Sequence, residues 1–377
     1  MLLFLDKNGN QLDDMTFIEA QWSRKYNEPG SFILMTTADL WNKNIKYIQN
    51  TGRKETAIVQ KVVFEKKTEG NFITASGFML EKALSWGCNY APTTLTASTE
   101  NDVKRAVLDL MRKDFGSNSN YKQLSTITFA DDAVFPATLN ATLDPGTDFG
   151  SFLYDILQPE GMSFWCEPVF GSDESVPLLG VKIHTYKGED RRNEVYFGEG
   201  YNDVSNISYT LDESAEYPLY GIMQEVQTVS GFSDVTTINT KDGVKYYIKE
   251  TIDVDGNRPS DLGACWPLKV INGNVTDMEM VSANQTAIRE AMKQQAKLDM
   301  LNHYKVETIS ATVIQNNFLY LKDYDLGDIC STVIDDIEEM FVARIVETSE
   351  VIKNNTEEVT LTLGTPQKSK YKKIQIL

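Results

Sequence analysis

Histidine is nearly absent from this chain. Only His184 and His303 occur in 377 residues, and neither stands in an HxH, HxxxH or HExxH spacing. A catalytic zinc takes three protein ligands, commonly histidines with a carboxylate, so a zinc hydrolase is not expected. Cysteine is almost as scarce. Cys88, Cys166, Cys265 and Cys330 are scattered with no CxxC pair, which reads as reduced, buried thiols and not as a disulfide framework. No Gly-x-Ser-x-Gly elbow and no glycine-rich phosphate loop occurs. Cations are outnumbered, 36 Lys and Arg against 54 Asp and Glu, for a formal net charge of −18. Surfaces that grip nucleic acid or anionic lipid need clustered cations, so neither partner is expected. No window approaches the ~20 apolar residues of a membrane helix. The apolar start, Met1 to Leu5, lacks a cationic flank and stops at Asp6, so a strand is expected there and a secretory signal is not. A soluble protein without an export signal is the expectation.

What is present is β-rich. Hydrophobic residues make up 41% and charged residues 24%, values that support a folded core, and the length calls for more than one domain. Leu2 to Leu5 meets the turn Lys7-Asn8-Gly9-Asn10, whose Asn-Gly pair signals a hairpin. Trp22 and Ser31 to Met35 flank Glu28-Pro29-Gly30-Ser31, where proline suits the first central position of a type II turn and Gly30 would supply positive φ at the second. Ala57 to Glu65 should pair with Phe72 to Gly77 across a charged turn ending at Gly70, and Phe78 to Trp86 could form a short helix closing one end. Five or so short strands with such turns suggest a small barrel over residues 1–95.

The texture changes near residue 96. Ser98 or Thr99 can cap a helix with Val103, Val107, Leu110 and Met111 as its apolar stripe, ended by Gly116. A second helix starts near Asp148, buries Phe149, Phe152, Leu153 and Ile156, and stops at Gln158-Pro159. With strands at Ser163 to Val169 and Leu178 to Tyr186, residues 96–200 read as an α+β accessory domain. Residues 201–365 read as further β structure, with strands at Asp203 to Leu211, Ile222 to Val229 and Val244 to Ile252. They include one long helix at about 284–302 and a closing strand-rich region, and 366–377 form a basic tail.

Candidates for chemistry are weak. Asp335-Asp336 with Glu338-Glu339 is the densest carboxylate run, and it falls between two strands where a solvated loop is expected. Asp6 to Asn10 and Asp253 to Asn257 mimic calcium loops, but both miss the EF-hand positions and read as hairpin turns. Trp22, Trp41, Trp86, Trp165 and Trp266 are dispersed and do not line one sugar cleft. No catalytic residue, cofactor or metal ligand is assigned.

Two stretches carry a resemblance. The first places Trp22, Arg24, Tyr26, Glu28, Gly30 and Phe32 in a Trp-Ser/Thr-Arg-x-Tyr-x-Glu-x-Gly-x-Phe hairpin. The second runs through Leu326-Gly327-Asp328, then Arg344-Ile345-Val346-Glu347, then the alternating Val359 to Gly364. Together they resemble the tail-hub family of long-tailed bacteriophages, the hub part of tail-associated lysins. The resemblance implies a mainly β, multi-domain chain with two small tube-forming β-barrels and an α+β insert. It implies a structural, non-enzymatic role in a phage, prophage or tail-like particle, located in the virion tail and assembled in the bacterial host cytoplasm. The implied partners are two further copies in a homotrimer, the distal tail ring protein, tip, fibre or receptor-binding proteins, and a tape-measure protein. Because the sequence ends soon after its last expected strand, the enzymatic half of the family's name is not carried over. A tail-tip carbohydrate-binding adhesin and a cell-wall hydrolase stand as alternatives.

Overall fold

The computed structural model describes residues 2–116, 124–171, 178–198, 200, 203–212, 219–226, 235–241, 243–253, 268–272, 289, 306–337, 339–353 and 356–364. The first ninety residues form β1 (Leu2–Leu5), β2 (Glu19–Lys25), β3 (Ser31–Thr37), β4 (Tyr47–Asn50), β5 (Thr56–Lys67) and β6 (Gly70–Met79), followed by a 3-10 turn at Leu80–Trp86. Next come β7 (Thr93–Ala97), α1 (Glu100–Asp114), β8 (Thr126–Phe129), β9 (Leu139–Leu143), α2 (Phe149–Leu157), β10 (Met162–Phe170), β11 (Leu178–Lys187), β12 (Tyr196–Gly198) and β13 (Val204–Asp212). Then follow β14 (Leu219–Val226), β15 (Thr236–Thr240), β16 (Gly243–Asp253) and β17 (Leu268–Asn272). The last four are β18 (Val306–Val313), β19 (Ile329–Ile334), β20 (Glu339–Lys353) and β21 (Thr356–Gly364). The fold is mainly β, with little helix.

Local chemistry accounts for the elements that position the site. The Thr99 hydroxyl accepts the Asp102 N–H and caps α1, whose stripe of Val103, Val107, Leu110 and Met111 is buried. Asp148 caps α2 by accepting the Ser151 N–H at 2.8 Å. In β21 the alternating Val359, Leu361 and Leu363 all point inward.

One sheet runs through both ends of the chain, in the order β1-β4-β5-β6-β3-β2-β20-β21-β18-β13, with β12 and β19 branching from β20. The join is antiparallel pairing of β2 with β20, Glu19 opposite Lys353 through Lys25 opposite Glu347. Smaller sheets are β10-β11-β8, β15-β16-β14-β17 and β7-β9. The chain divides into one unit of Met1–Tyr209 with Thr308–Leu377 and a second of Thr210–Glu307. In the first unit, one apolar cluster lies under the N-terminal strands around Phe4, Trp22, Phe32 and Leu34. A second, around α1 and α2, also draws in Leu5, Tyr47 and Ile58. A third holds Ile309, Tyr324, Ile345 and Leu361 together with Tyr26.

Several expectations are corrected. The Asn8-Gly9 turn forms, with Asp6 accepting the N–H groups of Asn8 and Asn10, but it closes only a single Leu5–Gln11 bridge. β1 instead takes β4 as its ladder partner. The second strand of the later region begins at Leu219, three positions before the expected Ile222, because Leu219 to Ile222 already pair with β16. In β16, Ile248 is buried while Val244, two steps of the same face away, is 51% exposed at the hairpin end. The short strands β7, β8, β9 and β12 were not expected at all. The long helix at 284–302 lies outside the described residues save Arg289, as do His303, Cys265, Trp266, the Val254–Asn257 part of the second mimic loop and the basic tail.

Gly30 carries the most instructive correction. Its φ is not positive, so the type II requirement does not explain it. The reason is proximity: a Cβ there would collide with the Ser23 carbonyl oxygen and lie 2.9 Å from Met79 Cγ, while the Gly30 carbonyl accepts the Met79 N–H. Both Gly30→Ala and Gly30→Asn are therefore expected to lower stability by about 1–3 kcal/mol in denaturant titrations. Asparagine, which tolerates positive φ, should bring no relief over alanine; relief would restore the turn explanation.

Candidate functional site

The β2–β20 ladder brings the two motif stretches side by side, and the residues at its end form a connected polar cluster. Arg24, on β2, is 2% exposed. Its Nε donates to Glu55 at 2.9 Å, and its Nη1 donates to Asp325 at 2.6 Å and to the Tyr320 hydroxyl at 2.7 Å. Tyr320 in turn meets Thr348 of β20 at 2.9 Å. Burial alone would push the guanidinium pKa down, but Glu55, Tyr320 and Asp325 hold it well above arginine's ordinary value. Arginine suits this position because its rigid fork serves several oxygens at once.

Tyr26 pins three segments together. Its N–H donates to Val346 at 2.9 Å, its carbonyl accepts the Ser163 hydroxyl, and its own hydroxyl donates to the Gly161 carbonyl. Arg344 lies 5.2 Å over its ring, and Tyr186 meets it edge-on at 5.6 Å. Gly327 packs on the same ring. Its φ is +96°, and a Cβ there would run into the Tyr26 ring, so glycine is required on both counts. The Gly327 carbonyl accepts from Arg344. Burial raises the Tyr26 phenol pKa above its usual range.

The other motif residues fall around these two. Trp22 and Phe32 are cross-strand partners in the N-terminal core, with ring centroids 6.3 Å apart. Glu28 pairs with Lys25 at 2.6 Å, and Glu347 accepts the Ser23 hydroxyl at 2.7 Å. Asp328 is buried and accepts three donors: the N–H groups of Glu189 and Asp325 and the Arg191 side chain. It thereby ties the Leu-Gly-Asp turn to the segment after β11.

Sequence reasoning missed Arg53, Glu55, Tyr320 and Glu350. Glu350 has no exposed side-chain area and is gripped by Arg53 through contacts of 2.9 and 2.5 Å, with Asn50 also donating. Arg53 reaches Glu357 at 2.7 Å and lies over the Tyr320 ring. Burial raises the Glu350 pKa, and Arg53 opposes that shift. The available signal was Glu350 itself, at an inward position between Thr348 and Ile352 on a strand.

The remaining sequence candidates do not gather here. His184 stacks on Trp165 at 4.0 Å and contacts Glu167 at 3.0 Å. Asp335 and Asp336 sit in an exposed 3-10 turn, where Asp335 accepts the Gly200 N–H. Among the described residues no group of three or more His, Cys, Asp or Glu could hold a metal ion. No helix among them is long and apolar enough to cross a membrane. The crevice beside Arg24, about 10 Å³, has room for roughly one water. What this arrangement can do is lock strands in register.

The profile described as Siphovirus ReqiPepy6 Gp37-like protein matches residues 2–365. No curated protein matches the chain. Solved structures with the same fold include a tail protein from Neisseria meningitidis MC58, at 12% identity and TM-score 0.58, covering 96% of this chain and 95% of that one. The prophage tail protein gp18 from Listeria monocytogenes EGD-e aligns at 12% identity and TM-score 0.54, covering 98% and 95%. The 43 kDa tail protein of prophage MuSo2 from Shewanella oneidensis aligns at 11% identity and TM-score 0.55, covering 96% and 97%.

The two kinds of charge pair separate in stability. Arg24→Ala strands the buried Glu55 carboxylate and removes a partner from the half-exposed Asp325, and should cost about 3–5 kcal/mol. Lys25→Ala breaks only half-exposed pairs and should cost less than about 1 kcal/mol. Equal losses in denaturant titration would refute the clamp.

Proposed function

The chain belongs to the Siphovirus ReqiPepy6 Gp37-like protein family, and on that premise we propose that it is the hub of a phage or prophage tail. In this reading it is a structural protein without catalytic activity. It forms a homotrimer that closes the distal end of the tail tube and links the distal tail ring to tip, fibre or receptor-binding proteins. The fold shared with a tail protein and two prophage tail proteins supports a tail role. The motif residues Trp22, Arg24, Tyr26, Phe32 and Asp328 are buried inside the chain, so their part in the hub is to hold its own sheet together.

The observation that carries assembly is the β5–β6 hairpin. β4 covers β5 only from Thr56 to Ile58, and among the described residues no strand pairs with the outer side of Gln60 to Lys67. Val62 and Phe64 on this stretch are 46% and 57% exposed. An open edge with apolar side chains is a surface that subunit contact would cover.

Light scattering with size exclusion over a range of concentrations tests the reading. The wild-type chain is expected to run as a trimer, and Val62→Glu with Phe64→Glu to shift it to monomer with an unchanged circular dichroism spectrum. A trimer untouched by these changes would move the interface elsewhere. A monomer at every concentration that binds glycans would replace the hub with the adhesin.

A further inference from the structure

Glu81 is the second residue of the 3-10 turn after β6 and is 3% exposed. Its Oε1 accepts the Cys166 backbone N–H of β10 at 3.1 Å, while Oε2 is buried with no hydrogen-bond partner. A neutral carboxyl tolerates such a place far better than a carboxylate does.

The groups that face it add to this preference. Arg24 and Lys25 come from β2, but Arg24 is held by Glu55 and Asp325, and Lys25 by Glu28. Glu55 brings a second carboxylate to the same water-sized crevice. Tyr154 of α2, Cys166 of β10 and Tyr186 of β11 complete the surroundings, and burial raises the pKa of all three well above ordinary values, so they stay neutral. Burial first, and then the Glu55 charge, push the Glu81 carboxyl up to about 8.

We propose that Glu81 is a proton-operated latch between the 3-10 turn and β10. Protonated, it keeps the Cys166 contact closed and its Oε2–H can donate to a water in the crevice. Ionised, with the proton released to solvent, it drives the turn away from β10 so that both carboxylate oxygens reach water. The sign follows from linkage. The closed form holds the proton up to about pH 8, whereas an exposed glutamate loses it near 4.5. The opening equilibrium therefore rises about tenfold per pH unit across that window and levels off above it. Acid closes the latch and base opens it. This device is independent of the assembly role.

Amide exchange of Cys166 in the full chain, under conditions where exchange reports the opening equilibrium, tests the latch between pH 6 and 8. Hydroxide-catalysed exchange itself rises about tenfold per pH unit, so the wild-type rate is expected to rise roughly a hundredfold per unit. Glu81→Gln should rise only about tenfold. Equal slopes in the two proteins overturn the proposal. Carboxyl carbon NMR of wild-type protein labelled at glutamate gives a second reading that needs no variant. A resonance titrating near pH 8 is expected, and its absence overturns the proposal.

Discussion

The pairing of β2 with β20 is the constraint on which the first unit depends. Ser23 and Glu347, which meet across it, are 324 positions apart in the chain. Closing a loop of that length costs on the order of 5 kcal/mol in chain entropy. Seven cross-strand positions share the task of offsetting it. Each backbone hydrogen bond contributes a net ~0.5–1.5 kcal/mol, so the ladder needs the apolar and ionic contacts packed around it. Once it forms, the N-terminal strands and the C-terminal strands become one sheet, and the Leu-Gly-Asp turn is carried up against the hairpin.

Register at this seam is guarded by buried charge. A one-residue slip of β2 would turn Arg24 to the opposite face and away from the buried Glu55, and a slip of β20 would carry Glu350 away from Arg53. Tyr26 acts beyond the end of the ladder, where its hydroxyl, carbonyl and N–H each hold a different segment. The charged seam and the open edge of the β5–β6 hairpin occupy different parts of the same sheet.

Legibility followed the range of the interactions. The caps at Thr99 and Asp148, the stripes of both helices, the β5–β6 hairpin and the inward alternation of β21 depend on residues a few positions apart, and all were readable. Gly30 was recognised but for the wrong reason, because the Ser23 carbonyl and Met79 that crowd it become neighbours only after β2, β3 and β6 pair. The Asn8-Gly9 turn was recognised too, yet its strand partner, β4, lay beyond local reach. β7 and β8 were missed because short threonine-rich segments acquire strand character from partners, β9 and β11, that lie elsewhere.

By itself, then, the sequence determined a β-rich chain, poor in histidine and in paired cysteine, with capped helices, turn glycines and two motif stretches near its ends. Those properties rest on composition and on short-range geometry. Only the tertiary structure decided that the two stretches share a ladder, that Arg24 meets Glu55 and Asp325, and that Glu350 is an inward charge held by Arg53. A carboxylate on a strand looks the same in sequence whether it faces water or a guanidinium. The difference is made by strands hundreds of residues away.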